Sequence, residues 1–430
     1  MKYNNGDQIK VFLKNETYEG LYISSEDKHI TIKLDNGYNI SLNQKNIIKT
    51  ELIKKYRKKK EKETKFSKKD KLKNISILNF GGTVASKVDY STGGVNAKFT
   101  SNELYNLFPE LKNYANINFR LIKQVMSENI RFGHYNELAN EIKKEYDKGV
   151  DGIIITHGTD TMHYTSSALS FILQNINIPV ILVGSQRSSD RGSSDATYNL
   201  LSATYFISKT DYSGVSICMH NNSDDDECII IPGTKVRKLH SSRRDAFRPI
   251  NTKPYAYVNY MKNEIKITKE FPQKNGDKKL EIKPIKENLK IAIVKFHPNF
   301  YSKQLNSYKN FDALIVEGFG LGQISIEKTD KISSENKKIY NKIKKMSKNT
   351  ILVMTSQTIY GRVCMNVYSQ GRKAMELGFI GNNLDITTET AFIKLAWLLS
   401  NYSKEDAKKL FMKNLRDEIS LRIEQDEFLK

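Results

Sequence analysis

The feature that most constrains the fold is a short β-branched run that ends in a small polar turn. Residues 153–162 read IIITHGTDTM, and a helical apolar pattern follows from Tyr164 to Leu173. The run is too short for a buried helix and too apolar for an exposed strand, so it predicts a central parallel strand. Ligands of open α/β sheets bind just beyond the carboxyl ends of such strands, where Thr159 and Asp160 fall. The alternative is that Asp160 only caps the following helix.

Two other apolar runs also end in small polar turns. Residues 75–80 lead into Gly81-Gly82-Thr83, and residues 179–183 lead into a polar turn and a helix from Ala196 to Ile207. Strands separated by helices of this length require βαβ crossovers and a parallel sheet. The sequence therefore predicts an α/β domain over residues 74–275.

The composition changes on both sides of this region. Four short apolar segments, with an Asp-Asn-Gly turn before the last, predict a small SH3-like β-barrel domain over residues 1–55. Residues 56–73 are rich in Lys and nearly free of apolar residues, so they are a linker or an exposed helix, with contact to an RNA backbone as the alternative. A stretch rich in Lys and Glu around residues 268–287 marks a second boundary. A smaller α/β domain with a charged helical tail is predicted over residues 288–430.

The overall composition limits the compartment and the partners. The formal charge of +21, from 69 Lys and Arg against 48 Asp and Glu, favours a polyanionic partner, although a Lys-rich proteome would give the same charge without function. Cys218, Cys228 and Cys364 have no CxxC spacing, which argues against a disulfide framework or a zinc site. The chain has no signal-peptide pattern and no apolar stretch near the roughly 18 residues of a membrane span. We expect a cytoplasmic protein without a membrane partner.

The turn Gly81-Gly82-Thr83 places a hydroxyl group beside two glycines. Glycines permit close backbone approach, and neighbouring N–H groups can face a developing oxyanion. An ordinary strand-to-loop turn is the alternative. The stretch 89–94 behind it is typical of a mobile loop and carries Tyr90. The phosphate-loop spacing is absent from the sequence, so we do not expect nucleotide hydrolysis by this chain.

In combination, these motifs resemble those of the L-asparaginase family over residues 74 to about 400. Residues 79–86 (NFGGTVAS) resemble its first threonine motif, and residues 156–162 (THGTDTM) resemble its second. The barrel-like N-terminal domain resembles the one carried by the archaeal glutamyl-tRNA(Gln) amidotransferase branch, which free asparaginases lack. Four further stretches resemble the same branch: 186–195, 237–247, 355–363 and 366–368. The resemblance implies an asparaginase-like two-domain parallel-sheet architecture preceded by the small barrel.

The resemblance also implies a catalytic set. Thr83 corresponds to the nucleophile, while Thr159, Asp160 and Lys238 correspond to the second catalytic group. A threonine hydroxyl is a weak nucleophile and needs an adjacent base. A lysine can act as that base only if its ammonium form is destabilised. Alternatively, the lysine orients a carboxylate and a hydroxyl that transfer the proton. Both possibilities stay open at the level of sequence.

The family's substrate contacts are matched more loosely. Ser127 and Glu128 correspond to residues that bind the α-amino and α-carboxylate groups of the substrate, although free asparaginases usually have glutamine in place of Glu128. Tyr90 corresponds to the loop tyrosine. Without the resemblance, His157 is better interpreted as a turn residue than as a catalyst.

The basic residues around Lys238 have a simpler interpretation as well. Such clusters are usually solvated faces or anion sites, and this one contains Lys235 and Arg237. Arg243 and Arg244 lie close behind in the sequence and are candidates for facing tRNA or a partner protein.

Two functions of different classes follow from the resemblance. The first is the amide-donor subunit of a tRNA-dependent amidotransferase, which hydrolyses glutamine or asparagine and passes ammonia to a partner that acts on Glu-tRNA(Gln). That partner is the E subunit, in a heterodimer that we expect to pair into a heterotetramer through the asparaginase-like region. No cofactor or metal is expected in this chain, and ATP and Mg²⁺ are expected in the partner. The second function is that of a freestanding cytosolic L-asparaginase. A third, an RNA-binding scaffold with an inactive asparaginase fold, is disfavoured by the intact catalytic set.

Overall fold

The computed structural model describes residues 3–56, 69–82, 84, 87–88, 95–96, 105, 107–187, 193–274 and 279–423. Thr83, Tyr90 and most of the predicted linker lie outside these residues. In the described part of the chain, no helix is long and apolar enough to cross a membrane. Nor do the same residues contain a group of three or more His, Cys, Asp or Glu side chains able to hold a metal ion.

The N-terminal strands form a five-stranded antiparallel sheet in the order β4-β3-β2-β1-β5. Its small core contains Ile9, Val11 and Ile32. We did not predict β5 from the sequence, because most residues of this edge strand are exposed and the strand has no alternating apolar pattern. The five strands are β1 (Gln8–Phe12), β2 (Thr17–Glu26), β3 (His29–Lys33), β4 (Asn39–Asn43) and β5 (Lys49–Lys54).

The next part of the chain, which we name the large unit, is built on an eight-stranded sheet. The strands of the whole large unit, including those outside this sheet, are β6 (Lys73–Asn79), β7 (Lys87–Val88), β8 (Val95–Asn96), β9 (Ala115–Leu121), β10 (Gly152–Thr156), β11 (Leu173–Gln174), β12 (Pro179–Val183), β13 (Gly214–His220), β14 (Cys228–Pro232), β15 (Val236–Lys238), β16 (Phe247–Pro249), β17 (Ala256–Asn259), β18 (Glu264–Ile267) and β19 (Glu281–Ile282). Its helices are α1 (Phe132–Asp147), α2 (Met162–Ile172) and α3 (Ala196–Lys209). The sheet order is β18-β17-β14-β13-β12-β10-β6-β9, and β7–β8, β11–β19 and β15–β16 form separate two-stranded pairs.

The predicted α/β class is confirmed, but the large sheet is mixed rather than wholly parallel. Strands β9, β6, β10, β12 and β13 run parallel, whereas β14, β17 and β18 continue the sheet in antiparallel fashion. The reason lies in the connections. Residues 221–227 and 260–263 are too few for a crossover, so the strands that they join can only form hairpins.

The last part of the chain, the small unit, contains a four-stranded parallel sheet in the order β20-β21-β22-β23. Its strands are β20 (Ile291–Lys295), β21 (Ala313–Gly318), β22 (Ile351–Ser356) and β23 (Phe379–Ile380). Its helices are α4 (Ser334–Met346), α5 (Ser369–Glu376), α6 (Thr388–Asn401) and α7 (Lys404–Phe411).

Helices α2 and α6 join the two units through one continuous apolar core. That core includes one face of the large sheet, such as Ile153 and Ile155, and one face of the small sheet, such as Ile315 and Val353. The rings of Phe171 in α2 and Trp397 in α6 stack with centroids 5.6 Å apart. Because burial of apolar surface is the main favourable term in folding, this shared core holds the two units in one arrangement.

Candidate functional site

A cleft of about 560 Å³ lies beyond the carboxyl ends of β6, β10 and β12. These three strands are neighbours in the sheet, so the turns that follow them meet at one edge. The cleft is lined by Gly82, Gln124, Val125, Met126, Ser127, Glu128, Gly158, Thr159, Asp160, Ser185, Gln186, Lys238 and Ser241. The sequence had identified most of these segments, and the topology brings them together.

The turn after β6 is pressed against two other backbone segments. Gly81 has φ +114°, and a Cβ added to it would lie 2.2 Å from the carbonyl oxygen of Val125. Gly82 has φ +76°, and its Cβ would lie 2.5 Å from the carbonyl oxygen of His157. Only glycine fits such contacts without displacing backbone. Thr83 itself lies outside the described residues, but Gly82, the residue before it, forms part of the cleft wall.

Lys238 connects the two residues of the second turn that we predicted to be catalytic. Its ammonium group donates hydrogen bonds to Thr159 Oγ1 at 2.9 Å and to Asp160 Oδ1 at 2.8 Å. The Lys238 side chain is 10% exposed, whereas that of Asp160 is 66% exposed. The lysine is thus nearly buried, whereas the aspartate lies in solvent at the mouth of the cleft.

The alternative that Asp160 caps the next helix is wrong. Helix α2 begins at Met162, and its N-cap residue is Thr161. The Thr161 hydroxyl does not cap the helix but donates a hydrogen bond to the carbonyl oxygen of Ser127 at 2.7 Å. This bond ties the second threonine motif to the segment that we predicted to bind substrate.

Ser127 and Glu128 occupy different environments in that segment. Ser127 is buried, and a Cβ added to Gly158 would lie 2.9 Å from its Oγ atom, so the two turns are in close contact. Glu128 is exposed at the rim of the cleft. The structure therefore brings Ser127 against the second motif and leaves the Glu128 carboxylate in solvent.

His157 is a structural part of its turn. It is buried, its Nδ1 lies 2.6 Å from the carbonyl oxygen of Gly158, and its Nε2 lies 2.9 Å from Thr165 Oγ1. Because a carbonyl oxygen can only accept, Nδ1 carries the proton and Nε2 accepts from the threonine hydroxyl. Burial lowers the pKa of His157 to about 4, so the ring is neutral at physiological pH. These contacts agree with the interpretation of His157 as a turn residue.

Two residues in and behind the third turn were not singled out from the sequence. Asp195 is fully buried, and its carboxylate accepts hydrogen bonds from the backbone N–H groups of Gln186 at 3.0 Å and Arg187 at 2.9 Å. Gln186 lines the cleft, and its side-chain nitrogen is buried without a hydrogen bond to any residue that the structure describes. The sequence signal for Asp195 is its position directly before a helix, within the motif at 186–195.

The neighbouring arginines are engaged in ion pairs within the chain. Arg244 is 11% exposed and donates to Asp225 Oδ1 at 2.8 Å and to the carbonyl oxygen of Ser193. Arg243 is 57% exposed and pairs with Asp245 at 2.7 Å. Of the two, Arg243 is thus the one open to an external anion.

The C-terminal motif at residues 355–363 does not line the cleft. It lies instead at the junction of the two units, where the Gly361 N–H donates to Asn251 Oδ1 at 2.9 Å. Its contribution to the site is therefore indirect.

Comparison with known families assigns each part of the chain. The family described as "Asparaginase, N-terminal" matches residues 74–273, and "Glutaminase/Asparaginase C-terminal domain" matches residues 290–412. The family described as "GatD N-terminal domain" matches residues 3–53. The resemblance inferred from the motifs is therefore confirmed.

Whole-chain relatives give the same result. The D subunit of glutamyl-tRNA(Gln) amidotransferase from Methanococcus maripaludis strain C7 is 43% identical and covers 96% of this chain and 98% of its own length. The protein of the same name from Methanosphaera stadtmanae is 39% identical and covers 99% of this chain and 96% of its own length. The one from Archaeoglobus fulgidus is 37% identical and covers 96% of this chain and 95% of its own length.

Solved structures resemble about four fifths of the chain. The thermostable L-asparaginase from Thermococcus kodakarensis superposes with a TM-score of 0.70 at 29% identity, covering 81% of this chain and 99% of its own. L-asparaginase I from Vibrio cholerae gives a TM-score of 0.68 at 27% identity, covering 81% of this chain and all of its own.

Proposed function

The chain belongs to the family of glutamyl-tRNA(Gln) amidotransferase D subunits, and from this membership we propose that it is the amide-donor subunit of a tRNA-dependent amidotransferase. It hydrolyses glutamine or asparagine and releases ammonia, which a partner subunit uses to convert Glu-tRNA(Gln) to Gln-tRNA(Gln). The observation that carries the chemical part of this proposal is the pair of hydrogen bonds from Lys238 to Thr159 and Asp160 at the mouth of the cleft.

The reaction needs a nucleophile and a proton relay. We assign Thr83 as the nucleophile: its hydroxyl gives its proton to the relay while its oxygen bonds to the side-chain carbonyl carbon of the substrate. The C–N bond then breaks to leave an ester, which water hydrolyses. The departing nitrogen must gain a proton to leave as ammonia. Because Thr159 Oγ1 accepts from Lys238, the hydrogen of its own hydroxyl remains available for donation into the cleft. Thr159, Asp160 and Lys238 thus act as one relay.

Substrate recognition is assigned to the segment of Ser127 and Glu128, which also lines the cleft. Ser127 and Glu128 bind the α-amino and α-carboxylate groups, and Tyr90 is assigned as a further substrate contact. A carboxylate suits the ammonium group of an amino acid, so Glu128 is assigned to the α-amino end.

The remaining steps belong to a partner. The overall reaction is that of a ligase, in which the glutamate on tRNA is phosphorylated before it is amidated. We assign ATP and Mg²⁺ to the partner, the E subunit, in a heterodimer of D and E subunits that pairs into a heterotetramer. The barrel of residues 1–55 and the basic segment 56–73 are assigned to assembly with that partner or with tRNA.

A freestanding L-asparaginase is the less favoured function. The two asparaginase structures are matched over essentially their whole length yet cover only 81% of this chain. The D-subunit relatives, in contrast, match 96% or more of it, and the N-terminal family match falls in residues 3–53.

Ammonia release from glutamine and asparagine tests the proposal. We expect slow hydrolysis by the chain alone and strong stimulation when the partner subunit, Glu-tRNA(Gln) and ATP are all present. Rapid hydrolysis by the isolated chain, unchanged by these additions, would favour the freestanding asparaginase. Light scattering tests the proposed assembly. A chain that is monomeric and fully active would contradict it.

A further inference from the structure

The strand that carries Lys238 has little support of its own. Within the described residues, strand β15 pairs only with β16, and the two form an isolated two-stranded sheet. Such hairpins are marginally stable by themselves in water. A catalytic group must nevertheless be held within a fraction of an ångström of its working position. Contacts outside the hairpin must therefore fix the position of Lys238.

Besides the packing of Val236 and Phe247 in the shared apolar core, those contacts come from the small unit and the residues that follow it. The Thr390 hydroxyl of α6 donates to the carbonyl oxygen of Thr234 at 2.8 Å. The Lys235 ammonium bonds to Asp385 Oδ2 at 2.5 Å and to Ser420 Oγ at 2.6 Å. In this pair the lysine side chain is 1% exposed and the aspartate side chain 0%. The segment that leads into β15 is thus tied to the small unit through buried bonds.

The last of these contacts is made by the residue next to Lys238. Arg237 Nη2 lies 3.0 Å from Oε1 of Glu389, in the first turn of α6. Neighbouring residues of a strand point to opposite faces, so Arg237 reaches the small unit while Lys238 reaches the cleft. The Glu389 side chain is 6% exposed, and its Oε2 has no partner among the described residues. Arg237 therefore supplies the main positive charge that stabilises the buried Glu389 carboxylate.

Helix α6 is itself firmly placed. The Thr388 hydroxyl donates to Thr355 Oγ1 of β22 at 3.0 Å, and Thr390 Oγ1 lies 2.9 Å from Ser167 Oγ of α2. A shift of this helix would move Glu389 and, with it, the Arg237 side chain. We propose that Arg237 and Glu389 are a positioning pair through which the small unit holds Lys238 against Thr159 and Asp160. This inference rests on the proposed function, because it gives Lys238 a part in amide hydrolysis.

The pair acts on catalysis only through Lys238, and a double-mutant cycle tests that property. Hydrolysis of glutamine is measured in the complete complex for Glu389→Gln, Glu389→Ala, Lys238→Met and the double variants. Glu389→Ala should lower kcat by about 10- to 100-fold with little change in KM, as expected for a displaced catalytic group. Glu389→Gln, which keeps the shape and one acceptor oxygen, should retain more activity. In the Lys238→Met background, neither change should lower the rate further.

The ion pair Arg120–Glu145 supplies a matched control, since its side chains are 33% and 0% exposed and the pair lies outside the β15–β16 hairpin and the residues that contact it. Glu145→Gln should lower the thermal midpoint without the selective loss of kcat. The positioning role would be overturned if the rate losses of the Glu389 and Lys238 variants multiplied in the double variant. A wild-type kcat for well-folded Glu389→Ala would overturn it as well. If Lys238→Met is itself fully active, the proposed function fails instead, and the two failures are thereby told apart.

Discussion

Gly82 lies against the peptide bond between His157 and Gly158, so the first and second threonine motifs meet through their backbones. A Cβ at Gly82 would lie 2.5 Å from the carbonyl oxygen of His157 and 2.8 Å from the nitrogen of Gly158. The residue before the proposed nucleophile is thus held directly against the turn that carries Thr159 and Asp160. This contact couples the positions of the two catalytic segments.

Gly82→Ala should therefore disrupt the site. The added methyl group meets backbone atoms that cannot rotate away, so the two turns must separate. We expect kcat/KM to fall by about 10²-fold or more, the size seen for small displacements of reacting groups. Gly149 is the matched control, because it has a nearly identical φ of +77° but nothing within 4 Å of its Cβ position. Gly149→Ala should cost only about 1–2 kcal/mol of stability and leave the rate unchanged. Equal rate losses in both variants would contradict the contact.

Thr83→Ala should abolish amide hydrolysis while the chain still folds and binds its partner. The prediction comes from the glycine-flanked hydroxyl and its match to the family's nucleophile, since Thr83 lies outside the described residues. Ammonia release from glutamine and asparagine measures the loss, and co-purification with the partner measures assembly. Thr83→Ser keeps a hydroxyl group and should retain partial activity. A Thr83→Ala variant with most of its hydrolysis rate would remove this residue from the mechanism.

Asp160→Asn and Lys238→Met should each lower kcat by about 10²-fold or more, as for loss of a positioned acid–base group. The reason is that Lys238 bonds both Thr159 and Asp160, so removing either end releases the same relay. The double variant should be little slower than the slower single variant. Steady-state kinetics on all three proteins check this, and losses that simply multiply would count against one shared relay.

The buried histidines should make the fold sensitive to acid. Burial lowers the pKa of His163 to about 3 and that of His157 to about 4. An unfolded histidine titrates near pH 6.5, so below that pH the unfolded chain binds protons that the folded chain does not. Stability is therefore full above about pH 6.5 and is lost as the pH falls toward the folded pKa values. At pH 5 each histidine accounts for about 2 kcal/mol of this loss.

Urea unfolding at pH 7.5 and pH 5 of His163→Leu measures that contribution. The His163 ring is 6% exposed and its Nδ1 has no partner among the described residues, so leucine should be tolerated. The difference in stability between the two pH values should shrink by about 2 kcal/mol in this variant. An unaltered pH dependence in His163→Leu would show that its burial does not govern the titration.

The predicted strands and helices of the large unit agree with the structure because their signals are local. The β-branched run at 153–155 and the glycines at 81 and 82 each specify a conformation within a few residues. Strand β5 was missed for the same reason: its residues are mostly exposed, so the sequence carries no alternating pattern there. The antiparallel edge β14-β17-β18 was missed because periodicity reports a strand but not its direction.

By itself, the sequence determined the family, the order of the strand-turn motifs and the residue types at the ends of the central strands. These properties depend on neighbours in the chain, where periodicity and turn chemistry act. Only the tertiary structure decided whether Asp160 caps a helix or pairs with Lys238, a residue 78 positions away. It also decided that Arg237 reaches Glu389, since a side chain's partner depends on which surfaces pack together. A pairing of that kind is set by the burial of the shared core between α2 and α6, and no local pattern encodes it.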